Sequence, residues 1–182
     1  MLLWILIAVV VLVAIVFFVY YNRFAVLVNR IENSLGQIDV QLKRRADLIP
    51  NLIKTVKGFA KHETAAIKAV TDARKSLVGA GDLAKKVKAN EKLEGALGKL
   101  FAIAEGYPDL KANTNFLELQ RELSSTEDKV AYSRQFYNDS ILSYNNLCTT
   151  FPGVFFAGIY GRKRREYLKI TPVEKEVVKV DF

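Results

Sequence analysis

The chain opens on an unbroken apolar block and then turns periodic. Residues 2–21, LLWILIAVVVLVAIVFFVYY, contain no charge, no Gly and no Pro. At about 1.5 Å per residue such a helix crosses a hydrocarbon core of about 30 Å, so the block is expected to span a bilayer. A cleavable leader would need a basic start, a shorter apolar core and a small-x-small exit, and the block has none of these. Phe17, Phe18, Tyr20 and Tyr21 stand where the aromatic belt of one interface would lie, with Trp4 near the other.

From Arg23 onward apolar residues fall on two rows of a heptad. One row is Ile31, Ile38, Leu52 and Phe59; the other is Leu35, Leu42, Ile49, Val56 and Val70. That spacing marks a helix burying one stripe against other helices. No loop signal separates Tyr21 from Ile31, so the anchor is expected to continue into the first bundle helix. Pro50 cannot donate to the carbonyl of Ala46 and crowds it, which means a kink or a new helix capped by Asp47. The kink is preferred, because no residues are available for a reversal, and the helix is read through to Leu77, before Gly79-Ala80-Gly81.

Asp82 is the expected cap of a second helix carrying Leu83, Val87, Leu93, Leu97, Leu100 and Phe101. Asn115 with Glu118 resembles a capping box for a third, which carries Phe116, Leu119, Leu123, Val130, Tyr137, Ile141, Tyr144 and Cys148. Short connections favour antiparallel up-and-down packing. The expectation is an all-α fold: a single transmembrane helix (residues 1–22), a bundle of three long helices with room for a fourth element (23–150), and an aromatic and basic tail (151–182).

Charge adds an orientation. Arg23 and Arg30 follow the span closely, with Lys43, Arg44 and Arg45 beyond, and nothing basic but the amino terminus precedes it. The positive-inside bias then puts the amino terminus outside and the bundle in the cytoplasm. A lone cysteine, Cys148, makes no internal disulfide and asks for no oxidising compartment. The net charge of +8 admits an acidic partner without naming one.

Candidate chemistry is sparse. His62-Glu63 starts a zinc-protease pattern, but Ala66 stands where the second His would be. No phosphate loop or nucleophile elbow is present, so no catalytic residue, cofactor or metal is assigned and a non-enzyme is expected. Lys54, Lys61, Lys68 and Lys75 recur every seven residues with Lys57 beside them, a stripe read as a solvated face; nucleic-acid binding would want interleaved aromatics. Arg44, Arg45, Asp47, Pro50 and Asn51 gather at the kink, and Tyr137, Asn138, Tyr144 and Asn145 repeat at seven-residue spacing on the third helix. Facing each other, the two sets would make a register-fixing polar layer, or else a cleft for a partner. Phe155, Phe156 and Tyr160 beside Arg162, Lys163, Arg164 and Arg165 would suit an anionic headgroup layer, although a three-pass bundle leaves them at its membrane-distal end. The bland alternative is that they cover the bundle end.

The run IDVQLKRRADLIPNLIKTVKGFAKHE, then TDAR, then EGYPDLKANTNFLELQRELSSTEDKVAYSRQFYNDSILSYNN, then FPG and a final VDF resemble the LemA family of bacterial membrane proteins over nearly the whole chain. The basic knot after Phe151-Pro152 departs from the family pattern. The resemblance implies one amino-terminal span and a helical bundle, no established catalytic activity, and, through a branch associated with magnetosome membranes, membrane organisation. The expected role is a scaffold that self-associates or captures a protein partner at the bilayer. The other reading is a single-pass adaptor or sensor relaying a signal to a cytoplasmic partner, which the short segment before the span disfavours.

Overall fold

The computed structural model describes residues 1–168. The expectation of an extended or short helical end lies, for residues 169–182, outside them. Among the described residues there are six helices and no strand: α1 Leu2–Phe59, α2 Thr64–Val78, α3 Leu83–Ala104, α4 Pro108–Lys111, α5 Thr114–Thr149 and α6 Gly153–Ile159. They divide into two compact units, Gly36–Ser133 and Met1–Leu35 with the chain from Arg134 on.

In the unit Gly36–Ser133 the apolar stripe is buried as its spacing requires. Ile38, Ile49, Leu52, Val56, Val70, Leu93, Leu100, Leu110 and Leu123 are all at or below 1% exposure, each contributing about 1.5–3 kcal/mol through burial. Asp82 caps α3, its Oδ1 accepting from the Lys85 amide at 2.8 Å. The cap of α5 is a correction: Asn113 Oδ1, not Asn115, accepts from the Phe116 amide at 3.0 Å. The one-turn α4 delivers the chain to Asn113, so the helix starts two residues earlier than the Asn115–Glu118 spacing suggested.

Pro50 sits inside α1 without ending it. It takes away the N–H that the Ala46 carbonyl would accept. Arg74 replaces that donor from α2: its Nε lies 2.7 Å from Ala46 O. The proline is therefore tolerated because a second helix is docked at the point where the first is short of a bond.

The first helix does not run to Leu77. Ala60-Lys61-His62-Glu63 reverse the chain, with the Thr64 amide bonded to His62 O at 2.8 Å and Tyr107 Oη donating to Glu63 Oε1 at 2.6 Å. Val56 and Val70 are both buried, but on separate helices facing one core, so a seven-residue count continued across a turn. The lysine stripe breaks with it: Lys54 and Lys57 belong to α1, Lys61 to the turn, Lys68 and Lys75 to α2.

In the unit formed by Met1–Leu35 and the chain from Arg134 on, α1 and α5 run antiparallel. The Arg30 guanidinium lies 4.9 Å from the Phe136 ring centroid, Phe24 meets Tyr144 edge-on at 6.0 Å, and Tyr20 stacks on Phe156 of α6 at 4.4 Å. Phe24, Ile31, Ile141, Tyr144, Leu147 and Phe156 form the core. Side chains from 2 to 19 are exposed throughout, and this is the one described helix long and apolar enough to cross a membrane. The start of the tail is a further correction to the expected membrane-distal placement: Phe156 and Tyr160 pack on Phe17, Tyr20, Tyr21 and Phe24.

Replacing Arg74 by Met is expected to cost about 1–2 kcal/mol by denaturant unfolding, the loss expected when a buried carbonyl is orphaned. In a Pro50→Ala background, where residue 50 again donates to Ala46, the same replacement should cost less than half as much. Equal costs in the two backgrounds would mean that the Arg74–Ala46 bond does not serve the proline.

Candidate functional site

Two features of the unit that carries the apolar segment stand out: a short aromatic helix against the end of that segment, and an extended segment held by asparagines. The helix is α6. Its inner side is set by Gly153, where a Cβ would fall 2.2 Å from the Leu147 carbonyl oxygen, so only glycine admits this approach. Phe156 then stacks on Tyr20 and meets Phe17 edge-on at 5.5 Å. Tyr160 packs edge-on against Phe17, Tyr21 and Phe24 at 5.2, 5.7 and 6.0 Å, and its hydroxyl donates to Phe17 O at 2.7 Å. The outer side carries Phe151, Val154, Phe155 and Ile159, all exposed. An open groove beside it is lined by Tyr20, Asn22, Arg23, Asn146, Thr150 and Phe151. The outer face is thus apolar rings, and the groove beside it holds amides and an arginine.

After α6 the Arg162 amide bonds Ala157 O at 2.8 Å, and Gly161 takes the left-handed conformation at φ +63° that the exit requires. Residues 162–168 then leave helix altogether. Asn145 donates through Nδ2 to Arg165 O at 2.9 Å and accepts through Oδ1 from the Arg165 amide at 2.8 Å. Asn138 repeats the pair on Leu168, at 3.0 and 2.9 Å. The Arg165 guanidinium lies 5.3 Å from the Tyr144 ring centroid, between the two rungs in sequence.

These partners change the meaning of the sequence-predicted residues. Arg44, Arg45, Asp47, Pro50 and Asn51 lie in the unit Gly36–Ser133, while Tyr137, Asn138, Tyr144 and Asn145 lie in the other, and each set takes its own partners. Arg45 is held by Asn90 and Glu127, and Asn138 and Asn145 hold Leu168 and Arg165, each within its own unit; a heptad count orders residues around a helix without saying which stretch of a neighbour they meet. Arg45, 1% exposed, donates Nη1 to Asn90 Oδ1 at 3.0 Å and pairs Nη2 with Glu127 Oε2 at 3.2 Å. Burial lowers its pKa, opposed by Glu127 and Glu94. Arg44 meets Glu122 at 2.7 Å near the surface. Asp47 lines a groove with Asp39, Lys43, Arg74 and Lys86, and Asn51 and Pro50 are exposed. Tyr137 packs on the core that holds Tyr144. Phe155, Lys163 and Arg164 are exposed, whereas Phe156 is buried and Tyr160, Arg162 and Arg165 are partly so. Asn90, Glu127 and Arg74 were not assigned from the sequence; Arg74 ends the TDAR block, and its spacing names no partner.

A family model described as the LemA family matches residues 34–182. Magnetosome protein MamQ of Magnetospirillum gryphiswaldense is 28% identical over 178 residues, covering 84% of this chain and 65% of its own length. Magnetosome protein MamQ 2 of Paramagnetospirillum magneticum is 26% identical with the same coverage. Protein LemA of Metamycoplasma hominis is 28% identical over 143 residues, 76% of this chain and 65% of its own length. The chain thus spans about 65% of the length of these relatives.

Two outcomes follow from this geometry. Gly153→Ala must move α6 or the end of α5, and is expected to lower unfolding free energy by about 1–3 kcal/mol, whereas Gly158→Ala, with nothing within 4 Å, should be neutral. Burial raises the Tyr144 phenol above 10.0 and the Cys148 thiol above 9.0, tempered by Arg162 and Arg165. The folded state therefore holds these protons more firmly than the unfolded chain. Their contribution is complete below about pH 9 and is lost as pH rises through the raised values. Melting temperature should fall above that pH, and less steeply in Tyr144→Phe and Cys148→Ala; an unchanged slope in both would remove these groups from the alkaline transition.

Proposed function

The chain belongs to the LemA family, and from that membership we propose that it is a non-enzymatic scaffold, anchored by residues 2–21 in the bacterial inner membrane with its helical domain on the cytoplasmic side. The observation that carries this reading is the packing of α6 on the span: Tyr160 Oη on Phe17 O at 2.7 Å and Phe156 stacked on Tyr20 at 4.4 Å. These contacts join the end of the apolar segment to the folded unit that follows it, which supports a retained anchor. The same contact brings Arg162, Lys163, Arg164 and Arg165 to the flank that already holds Arg23 and Arg30, which strengthens the positive-inside argument.

With the span fixed, the exposed side chains of Phe151, Val154, Phe155 and Ile159 lie at headgroup depth. Lys163 and Arg164 beside them each add about 1 kcal/mol of attraction near an anionic leaflet. Confinement to a plane raises effective concentration, so weak contacts between copies or with a captured partner suffice. The magnetosome proteins among the relatives support a role in organising membrane.

Full-length protein reconstituted in vesicles with anionic lipid should self-associate, read by energy transfer between labelled copies, and should alter vesicle shape. Replacing residues 162–165 by Gln, or Phe155 and Ile159 by Ser, should weaken both effects. Protein that stays monomeric at every lipid dilution and leaves the vesicles unaltered would overturn the scaffold. Protease cutting the helical domain only from the outer face of intact cells would overturn the orientation.

A further inference from the structure

The two asparagines share one geometry. Each uses one donor and one acceptor to bond both backbone groups of a single residue, as a neighbouring β-strand would. The rungs are seven residues apart on α5, a rise of about 10.5 Å. Their targets, Arg165 and Leu168, are three residues apart, and three residues reach about 10 Å only when nearly fully extended. Helix and segment are thus matched rung for rung. The chemistry read is peptide backbone, with Tyr144 adding a flat face for one guanidinium.

Lys163, Arg164, Glu166 and Tyr167 of the segment are exposed. Four hydrogen bonds and one cation–π contact are a reversible attachment. A nucleic-acid backbone offers acceptors without the matching N–H donors that Asn138 and Asn145 Oδ1 require, so it fits the rungs poorly.

We infer that the Asn138–Tyr144–Asn145 face of α5 is a receptor for extended, arginine-bearing peptide segments, which the chain's own residues 162–168 occupy as a built-in competitor. It deepens the partner-capture side of the function proposed above by giving the partner's chemistry, and rests on no contact with lipid. Opening the clasp frees the rungs for a segment presented by another molecule. The basic knot is released in the same event.

The test uses full-length protein in detergent without lipid and a labelled synthetic peptide of the sequence RKRREYL. In Arg165→Pro the tail can no longer donate to Asn145, so the peptide should bind about tenfold tighter than to the unaltered protein. Adding Asn145→Leu or Asn138→Leu should remove that gain, and a peptide N-methylated at the arginine matching Arg165 should fail to bind. Equal binding to the Arg165→Pro and unaltered proteins, or binding indifferent to the asparagines and to N-methylation, overturns the proposal. So does a single-stranded oligonucleotide that competes as well as unlabelled peptide. A second reading avoids any folding defect of the variants: in the unaltered protein the Arg165 and Leu168 amides should be protected from hydrogen exchange, and exchange at the rate of free chain overturns the clasp. Because lipid is absent, failure here leaves the membrane role standing, and failure of the vesicle experiment leaves the receptor standing.

Discussion

A backbone N–H or carbonyl that leaves the helical ladder must find another partner, and in this chain side chains remote in sequence supply it. Pro50 orphans the Ala46 carbonyl, and Arg74 answers it at 2.7 Å. Beyond α6 the chain leaves helix, and Asn138 and Asn145 take up both backbone groups of Leu168 and Arg165. An unsatisfied buried group costs about 1–3 kcal/mol. Each device therefore fixes where one element docks on another more sharply than apolar contact does, since apolar contact is non-directional.

The two devices serve different ends. Arg74, half-buried beside a charged groove, bonds the carbonyl of the buried Ala46, and that bond secures the register of α2 on α1. Ser34, Thr126 and Ser140 solve the same problem locally, returning their hydroxyls to the carbonyls of Ile31, Leu123 and Phe136 at 2.7 Å. The asparagines act at the edge of their unit, where the held segment is charged and largely exposed. That difference in surroundings is why one reads as architecture and the other as a site.

Placing α6 against the apolar segment extends its aromatic cluster. Phe156 and Tyr160 add their rings to those of Phe17, Tyr20, Tyr21 and Phe24, so the cluster is built by two helices, not one. Aromatic rings with a polar tip are at home at headgroup depth. The Tyr160 hydroxyl uses its tip on a backbone carbonyl of the span, which ties the span to the unit that follows it.

Much of this was legible in residue order. Length and composition of residues 2–21 made a helix long and apolar enough to cross a membrane, the absence of a break after Tyr21 carried it on through α1, and the apolar spacing chose the buried faces, because helical periodicity and bilayer thickness are local and one-dimensional quantities. The spacing of Asn138 and Asn145 was also visible, though not what they hold. The reversal at residues 60–63 was hidden by Val56 and Val70, which keep heptad phase across a turn while facing a common core. Pairings such as Arg74 with Ala46, Arg45 with Asn90 and Glu127, and Tyr160 with Phe17 were decided only by the tertiary structure. They join residues 28 to 143 positions apart, and periodicity orders residues around one helix while leaving the height at which a second helix meets it undetermined.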